Sequence, residues 1–293
     1  MGSLSVLSRA LGGNLMKLGD LEFHIISDGR VCFDGGAMFG VIPRPLWEKK
    51  MPPDSRNRVT FSMNCLLIST GGKCILVETG AGDKYSAKLR DIFGFDGPHL
   101  VERLRDYGVR PGDVDIVINT HLHFDHCGGN TRIEKNTVIA TFPNARYVVQ
   151  KGEFEHAKSP TERDRASYIL DNYAPIEVAG MLTLLDGAEV MAPGVEVVRV
   201  PGHTANMQCL KLTGGGKTAF FFADLVPTTA HLPLPWIMGY DLYPMTTLEN
   251  KRKWIPEVVR GGWLALFAHD PAIPAAYLRE RDGQWEPEPV MVD

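Results

Sequence analysis

Cysteine is scarce in these 293 residues: Cys32, Cys65, Cys74, Cys127 and Cys209 are all there is, and no two form a Cys-x-x-Cys pair. An odd number without paired spacing argues against a disulfide framework and fits reduced, mostly buried thiols in a cytoplasmic protein. Cys127 follows His126 and reads as a small residue packed at the start of a turn. Positive charge is not in excess, with 31 Lys and Arg against 35 Asp and Glu and a net charge of −4. That leaves no electrostatic footprint for nucleic acid. No apolar run approaches the roughly 20 residues that span a bilayer. Met1 to Leu15 lacks the sustained hydrophobic core and cleavage site of a secretory leader, and Val6 stands where a myristoylation signal needs Ser or Thr. Residues 1–20 read as an N-terminal arm. Without repeats or a low-complexity linker, residues 21–293 read as a single domain, and 44% apolar residues suffice for a large core.

Strand signals recur along that domain. Leu21 to Ser27 alternates and meets a turn at Asp28-Gly29, and Phe61 to Ile68 and Lys73 to Val77 are joined at Gly71-Gly72. Between them, Gly35 to Pro53 has no period and reads as a long loop. A helix is predicted from Asp96-Gly97-Pro98 through Tyr107, with Gly108 as its stop. Further strands are predicted at Val114 to Ile118, Arg146 to Gln150, Leu182 to Leu185, Val195 to Val200, Met207 to Leu212, Thr218 to Ala223 and Gly262 to Ala268. Gly152 to Tyr173 is polar and helix-like, with His156 exposed. Thr246-Thr247-Leu248-Glu249 reads as a capping box, and Lys251-Arg252-Lys253 as a solvated helix face.

One stretch stands apart: Thr120-His121-Leu122-His123-Phe124-Asp125-His126-Cys127-Gly128-Gly129. Four strong metal-ligand side chains fall within six positions, directly after a buried strand. His121 and His123, two apart, leave an extended backbone on one side. Asp125 and His126 follow where the chain turns, placed for a second ion. Imidazole with carboxylate suits zinc and similar divalent metals, and no Cys occupies these positions. The alternative is a His-rich surface loop or a hydrogen-bonded core cluster, for which packing alone has no use at this density.

The pattern His-x-His-x-Asp-His-x-Gly-Gly resembles the signature of the metallo-β-lactamase superfamily, and the resemblance runs from about Leu21 to Asp270. It implies an α+β fold, the αββα sandwich of two mixed β-sheets flanked by helices. It implies that His121, His123 and His203 hold one divalent ion, that Asp125, His126 and His269 hold another, and that Asp224 bridges them. The ions would be zinc, or else manganese, iron or cobalt. The chemistry implied is hydrolysis by a shared, metal-activated water, with Asp125 and Asp224 at the catalytic centre. Glu78 stands where members usually carry the Asp of Asp-x-Gly, and is expected to hydrogen-bond the metal loop. Ala223 to Leu232 is similar to the branch of N-acyl-homoserine lactonases and methyl parathion hydrolase. That implies opening of a lactone ring, with organophosphate triester hydrolysis or a non-catalytic metal-loaded binding protein as alternatives. The lactonases' carbonyl-binding Tyr is replaced here by Pro227, and His231 is a candidate stand-in. The apolar Leu232 to Tyr240 loop, through Trp236, Met238 and Tyr240, is expected to line the pocket together with Met63 and Phe39. It could instead be a contact in a homodimer. The expected partner is a small-molecule lactone or ester, with neither nucleic acid nor membrane.

Overall fold

The computed structural model describes residues 15–291. In chain order the strands are β1 (Met16–Leu18), β2 (Leu21–Asp34), β3 (Arg58–Thr70), β4 (Lys73–Val77), β5 (Ile116–Ile118), β6 (Thr131–Glu134), β7 (Thr137–Ala140) and β8 (Arg146–Gln150). They continue as β9 (Leu182–Leu185), β10 (Glu189–Ala192), β11 (Val195–Arg199), β12 (Gln208–Gly214), β13 (Lys217–Phe221), β14 (Leu264–Leu266), β15 (Ala275–Arg281) and β16 (Gln284–Pro289). The helices are α1 (Gly35–Phe39), α2 (Arg44–Trp47), α3 (Ala87–Phe93), α4 (Leu100–Leu104), α5 (Phe124–Cys127), α6 (Lys151–Lys158), α7 (Ala174–Val178) and α8 (Pro244–Gly261).

Two seven-stranded sheets result, ordered β1-β2-β3-β4-β5-β8-β9 and β10 through β16 in sequence, with β6-β7 as a separate hairpin. Both are mixed: β4, β5, β8 and β9 run parallel in the first, and β13 with β14 in the second. The strands of the first sheet are apolar on both faces because both faces are covered. On β3, Leu66 and Ile68 join the core between the sheets while Cys65 and Leu67 join the core under α4 and α7. β5 repeats this, with Ile116 and Ile118 facing one way and Val117 the other. A period of two with no polar position is the mark of a doubly covered sheet. On the second sheet, Trp254, Ile255 and Val258 of α8 close the core, Trp254 stacking on Phe220 with ring centroids 4.7 Å apart. Two mixed sheets with helices outside is the sandwich expected.

Several boundaries differ. Residues 1–14 of the expected arm lie outside the described residues, and Met16–Leu18 pair with β2. β2 does not end at Asp28 but passes through a register shift and continues to Asp34. The Asp28 carboxylate is buried there, accepting from Gly82 N and Leu100 N. The expected loop after Gly35 contains α1 and α2. Asp34 caps the first, accepting from Ala37 N at 2.9 Å, and Pro45 opens the second. Helices this short have no period to read. The helix in Gly152 to Tyr173 ends at Lys158. His156 is half-buried, 2.5 Å from Asp164. α8 begins at Pro244, so the Thr246–Glu249 box lies inside it, and Thr247 Oγ1 donates to Asp241 instead of capping. Lys251 contradicts the reading of a solvated face. It is fully buried, and its ammonium donates to the carbonyls of His231, Pro233 and Trp236 at 2.7, 2.7 and 2.9 Å.

Candidate metal centre

The ends of β4, β5, β11, β13 and β14 meet at one edge of the sandwich. β5 has only three residues, so its buried Ile-Val-Ile run delivers Asn119 to His123 directly to that edge. β12 fastens this segment, with Gln208 N donating to Thr120 O and Gln208 Nε2 to Asn119 O. His123 then takes the N-cap position of α5, with no side-chain capping bond, and the helix carries Asp125 and His126. His203 follows β11, Asp224 follows β13, and His269 follows β14. Two non-glycine residues adopt left-handed backbone here, Glu78 at φ 63° and Ala223 at φ 48°, each a local cost that aims a carboxylate inward.

All seven side chains predicted from the motif converge and are buried. Asp224 Oδ2 lies 3.3 Å from His203 Nε2 and 4.0 Å from His121 Nε2, while Oδ1 lies 3.4 Å from His126 Nε2 and 3.2 Å from His269 Nε2. Asp125 Oδ2 is 3.7 Å from His126 Nε2 and 3.6 Å from His269 Nε2. Three overlapping groups could each hold an ion, with ligand atoms within 4.8 Å: His121, His123 and His203; His121, His126 and Asp224; Asp125, His126 and His269. Asp224 stands between the outer two.

The hydrogen-bonding of the rings tests the fit. His269 Nδ1 donates to Ser62 O at 2.8 Å, and His203 Nδ1 pairs with Asp241 Oδ1 at 2.9 Å. A neutral ring that donates at Nδ1 presents a lone pair at Nε2. Those lone pairs face other imidazoles, His203 Nε2 at 3.0 Å from His123 Nδ1 and His269 Nε2 at 3.0 Å from His126 Nε2. His121 Nε2 and Asp224 Oδ1 are buried without a hydrogen-bond partner. Converging nitrogen lone pairs, carboxylate oxygens and too few donors suit divalent cations.

Electrostatics agree. Burial and the neighbouring imidazoles hold His121 and His123 well below the ordinary histidine value, so they stay neutral. Burial also opposes charge on His126, His203 and His269, but Asp224, with Asp125, Glu78 or Asp241, outweighs it and raises all three. Burial disfavours the Asp224 anion too, yet His126, His269 and His203 keep it ionised. Cations and protons compete for these basic lone pairs. Glu78 Oε1 accepts from Thr120 N at 2.9 Å and lies 3.5 Å from His126 Nδ1. Cys127 points away, its thiol toward Leu122 O.

The cluster floors a cavity of about 390 Å³. Its wall includes Phe33, Phe93, Phe124, Met38, Met238 and Tyr240. Met238 and Tyr240 are where the sequence pointed; the other expected lining residues lie elsewhere. His231 is buried between Thr228 Oγ1 and Met38 O, and its ring stacks on Phe39 at 4.8 Å. Phe39 also stacks on Trp47, and Trp236 meets it edge-on. These rings back the wall rather than face the cavity. Met63 lies behind Asp125, His126 and His269. The carboxylates of Glu153 and Asp241, which belong to no motif, are buried beside the cluster. Phe124 lies inside the motif and is legible from it; Phe33, Phe93 and Glu153 carry no local signal.

A profile of the Metallo-beta-lactamase superfamily matches residues 59–291. The N-acyl homoserine lactonase AttM of Azorhizobium caulinodans is 26% identical over 228 residues, covering 70% of this chain and 77% of that protein. An N-acyl homoserine lactonase from a Bacillus species is 29% identical over 159 residues, and the match spans 50% of this chain and 56% of the relative. The dizinc quorum-quenching lactonase AidC shares the fold, with a TM-score of 0.79 at 21% identity over 96% of this chain and 98% of its own. A probable metal-dependent hydrolase from Staphylococcus aureus superposes with a TM-score of 0.86 at 31% identity, over 94% of this chain and all of its own. With the profile spanning most of the chain and that structure nearly all of it, this protein belongs to the metallo-beta-lactamase superfamily.

Proposed function

We propose that the chain is a two-metal hydrolase that opens lactone rings of the N-acyl-homoserine-lactone type. The observation that carries this is seven converging buried ligand-type side chains, five of which line an apolar cavity of about 390 Å³, large enough for a small ester with a tail. The lactonases among its relatives support the choice of substrate. His121, His123 and His203 would hold one ion, and Asp125, His126 and His269 the other, with Asp224 shared; zinc suits this donor set. When bound, the ions supply an activated water and a Lewis acid for the carbonyl oxygen.

The chain's own residues do the rest. Asp224 keeps the two halves in register and offsets their charge. Asp125 faces the cavity and is placed to carry a proton to the departing alkoxide. Burial pushes the Tyr240 phenol up to about 12, so it keeps its proton and can donate to a carbonyl from the wall. That offers a phenol where Pro227 cannot: the Pro227 carbonyl accepts from His269 N at 2.9 Å instead. The phenylalanines exclude water and cover the tail.

One feature favours triesters as a second reading. Phe33, Phe93, Phe124 and Tyr240 form connected edge-on and tilted ring pairs, with centroids 4.8 to 6.2 Å apart, that would also suit an aryl leaving group. The deciding measurement is kcat/KM for an acyl-homoserine lactone against an aryl phosphotriester on one zinc-loaded preparation. A triester lead above about tenfold, ~1.4 kcal/mol of transition-state preference, overturns the lactonase assignment.

A further inference from the structure

Glu153, on α6, is a fully buried carboxylate that neither half of the cluster uses. Its oxygens accept three hydrogen bonds: from Leu122 N at 3.1 Å and Tyr168 Oη at 2.9 Å on Oε1, and from Thr204 Oγ1 at 2.6 Å on Oε2. Each donor belongs to a different segment. Leu122 lies between His121 and His123, and Thr204 follows His203. Tyr168 packs its ring edge-on to His123, centroids 4.8 Å apart. Its neighbour Ser167 lines the cavity and accepts from Phe124 N through its carbonyl at 2.9 Å. One carboxylate therefore ties the His121–His123 loop and the His203 loop to the cavity wall.

The helix is seated to hold that position. A Cβ on Gly152 would lie 2.6 Å from the Asn206 side chain, so α6 rests directly on the turn after His203. On its other side Phe154 and Ala157 pack with Leu122 and Tyr168 in a small core. A carboxylate buried without a cation is costly even when it accepts three bonds, and stability alone would be better served by an apolar residue. What those bonds add is direction. None of the three reaches Asp125, His126 or His269.

We propose that Glu153 is a positioning residue for the first half of the metal centre, holding the His121–His123 loop and the His203 loop at the separation one ion requires. This rests on the two-metal reading above. The test compares wild type with Glu153→Gln, which keeps the shape but replaces one acceptor oxygen with an NH2 donor. Thr204→Val removes the donor on the second loop and serves if the first variant fails to fold. Zinc affinity and stoichiometry are read by competition with a chromophoric chelator, and the cobalt forms by visible absorption. In both variants one ion should keep its affinity and the other bind about 10–100-fold more weakly, the usual cost of removing a partner of a metal ligand. Half of the cobalt spectrum should change. Two ions with unchanged affinity, or equal weakening of both, overturns the role of Glu153. A wild type that takes up fewer than two ions overturns the two-metal reading itself, and is seen before any variant is measured.

Discussion

At the floor of the cavity, imidazoles are held by hydrogen bonds at the ring atom turned away from the centre: Thr120 at His121, Asp241 at His203, and the Ser62 carbonyl at His269. The wall is made differently. Met238 and Tyr240 stand on a loop whose preceding carbonyls are gathered by the Lys251 ammonium, and behind it His231, Phe39 and Trp47 form one stack. Floor residues need direction, because a lone pair turned away from an ion contributes nothing. Wall residues need volume, and apolar volume can be exchanged at modest cost. The floor therefore decides the reaction, and the wall decides what reaches it.

The comparison breaks most sharply at Asp224. Asp224→Ala should lower kcat/KM by at least about 10²–10³-fold, the scale of one charge-stabilising group, and reduce bound metal below two per chain. The metal-free protein should melt no lower than wild type, since Asp224 serves the floor and not the core. Full turnover in this variant would contradict the bridging role.

The wall should fail through stability. Lys251→Met leaves three buried carbonyls without donors and should destabilise by about 3 kcal/mol in urea unfolding. A pH series sharpens this. Burial draws Lys251 down to about 7 from its ordinary 10.5, with Asp241 opposing. Between those values the unfolded chain holds a proton that the folded chain has released, so stability rises with pH from about 7 and levels off near 10.5, where the unfolded amine is neutral as well. Across that window the unfolded state binds more protons, and the sign of the linkage is that the wild type loses stability relative to Lys251→Met as pH falls from 9 to 7. The gap between the two proteins should therefore widen from pH 7 to pH 9. A gap that stays flat means that the three carbonyls hold the ammonium against burial.

Glu78→Asp tests the floor's tolerance in distance. The shorter side chain cannot reach both Thr120 N and His126, and activity or metal affinity should fall about 10–100-fold. The smallest effect separates the two layers of the wall. Tyr240→Ala should raise KM up to about tenfold, ~1.4 kcal/mol of binding, whereas Trp236→Phe, which only backs the wall, should leave KM unchanged. A KM effect at Trp236 alone would place the substrate on the other side of the loop.

The floor is largely legible in the amino-acid sequence, and the wall is not. His121, His123, Asp125 and His126 lie within six positions after a buried strand, and the order of His203, Asp224 and His269 matches a family pattern. Strand interiors such as Cys65 to Ile68 are legible because a doubly covered sheet leaves a continuous apolar run. Lys251 is not, because three adjacent basic residues look alike in sequence. Only the rotation of α8 sends Lys251 inward, and Arg252 and Lys253 stay exposed. His231, Phe39 and Trp236 are aromatic and close in sequence to Asp224 or to the pocket loops, but they pack on one another and not toward the cavity.

By itself the sequence determined the ligand-type residues of the floor, because metal ligation is written in few residue types at short, fixed spacings after strands. The tertiary structure alone decided which groups aim those ligands and which surface meets the substrate. Ser62 and His269 are 207 positions apart, Glu153 and Thr204 are 51 apart, and Gln150 reaches Gln208 across 58. Such pairs have no spacing to read; they exist only where packing of the two sheets brings distant backbone within hydrogen-bond reach.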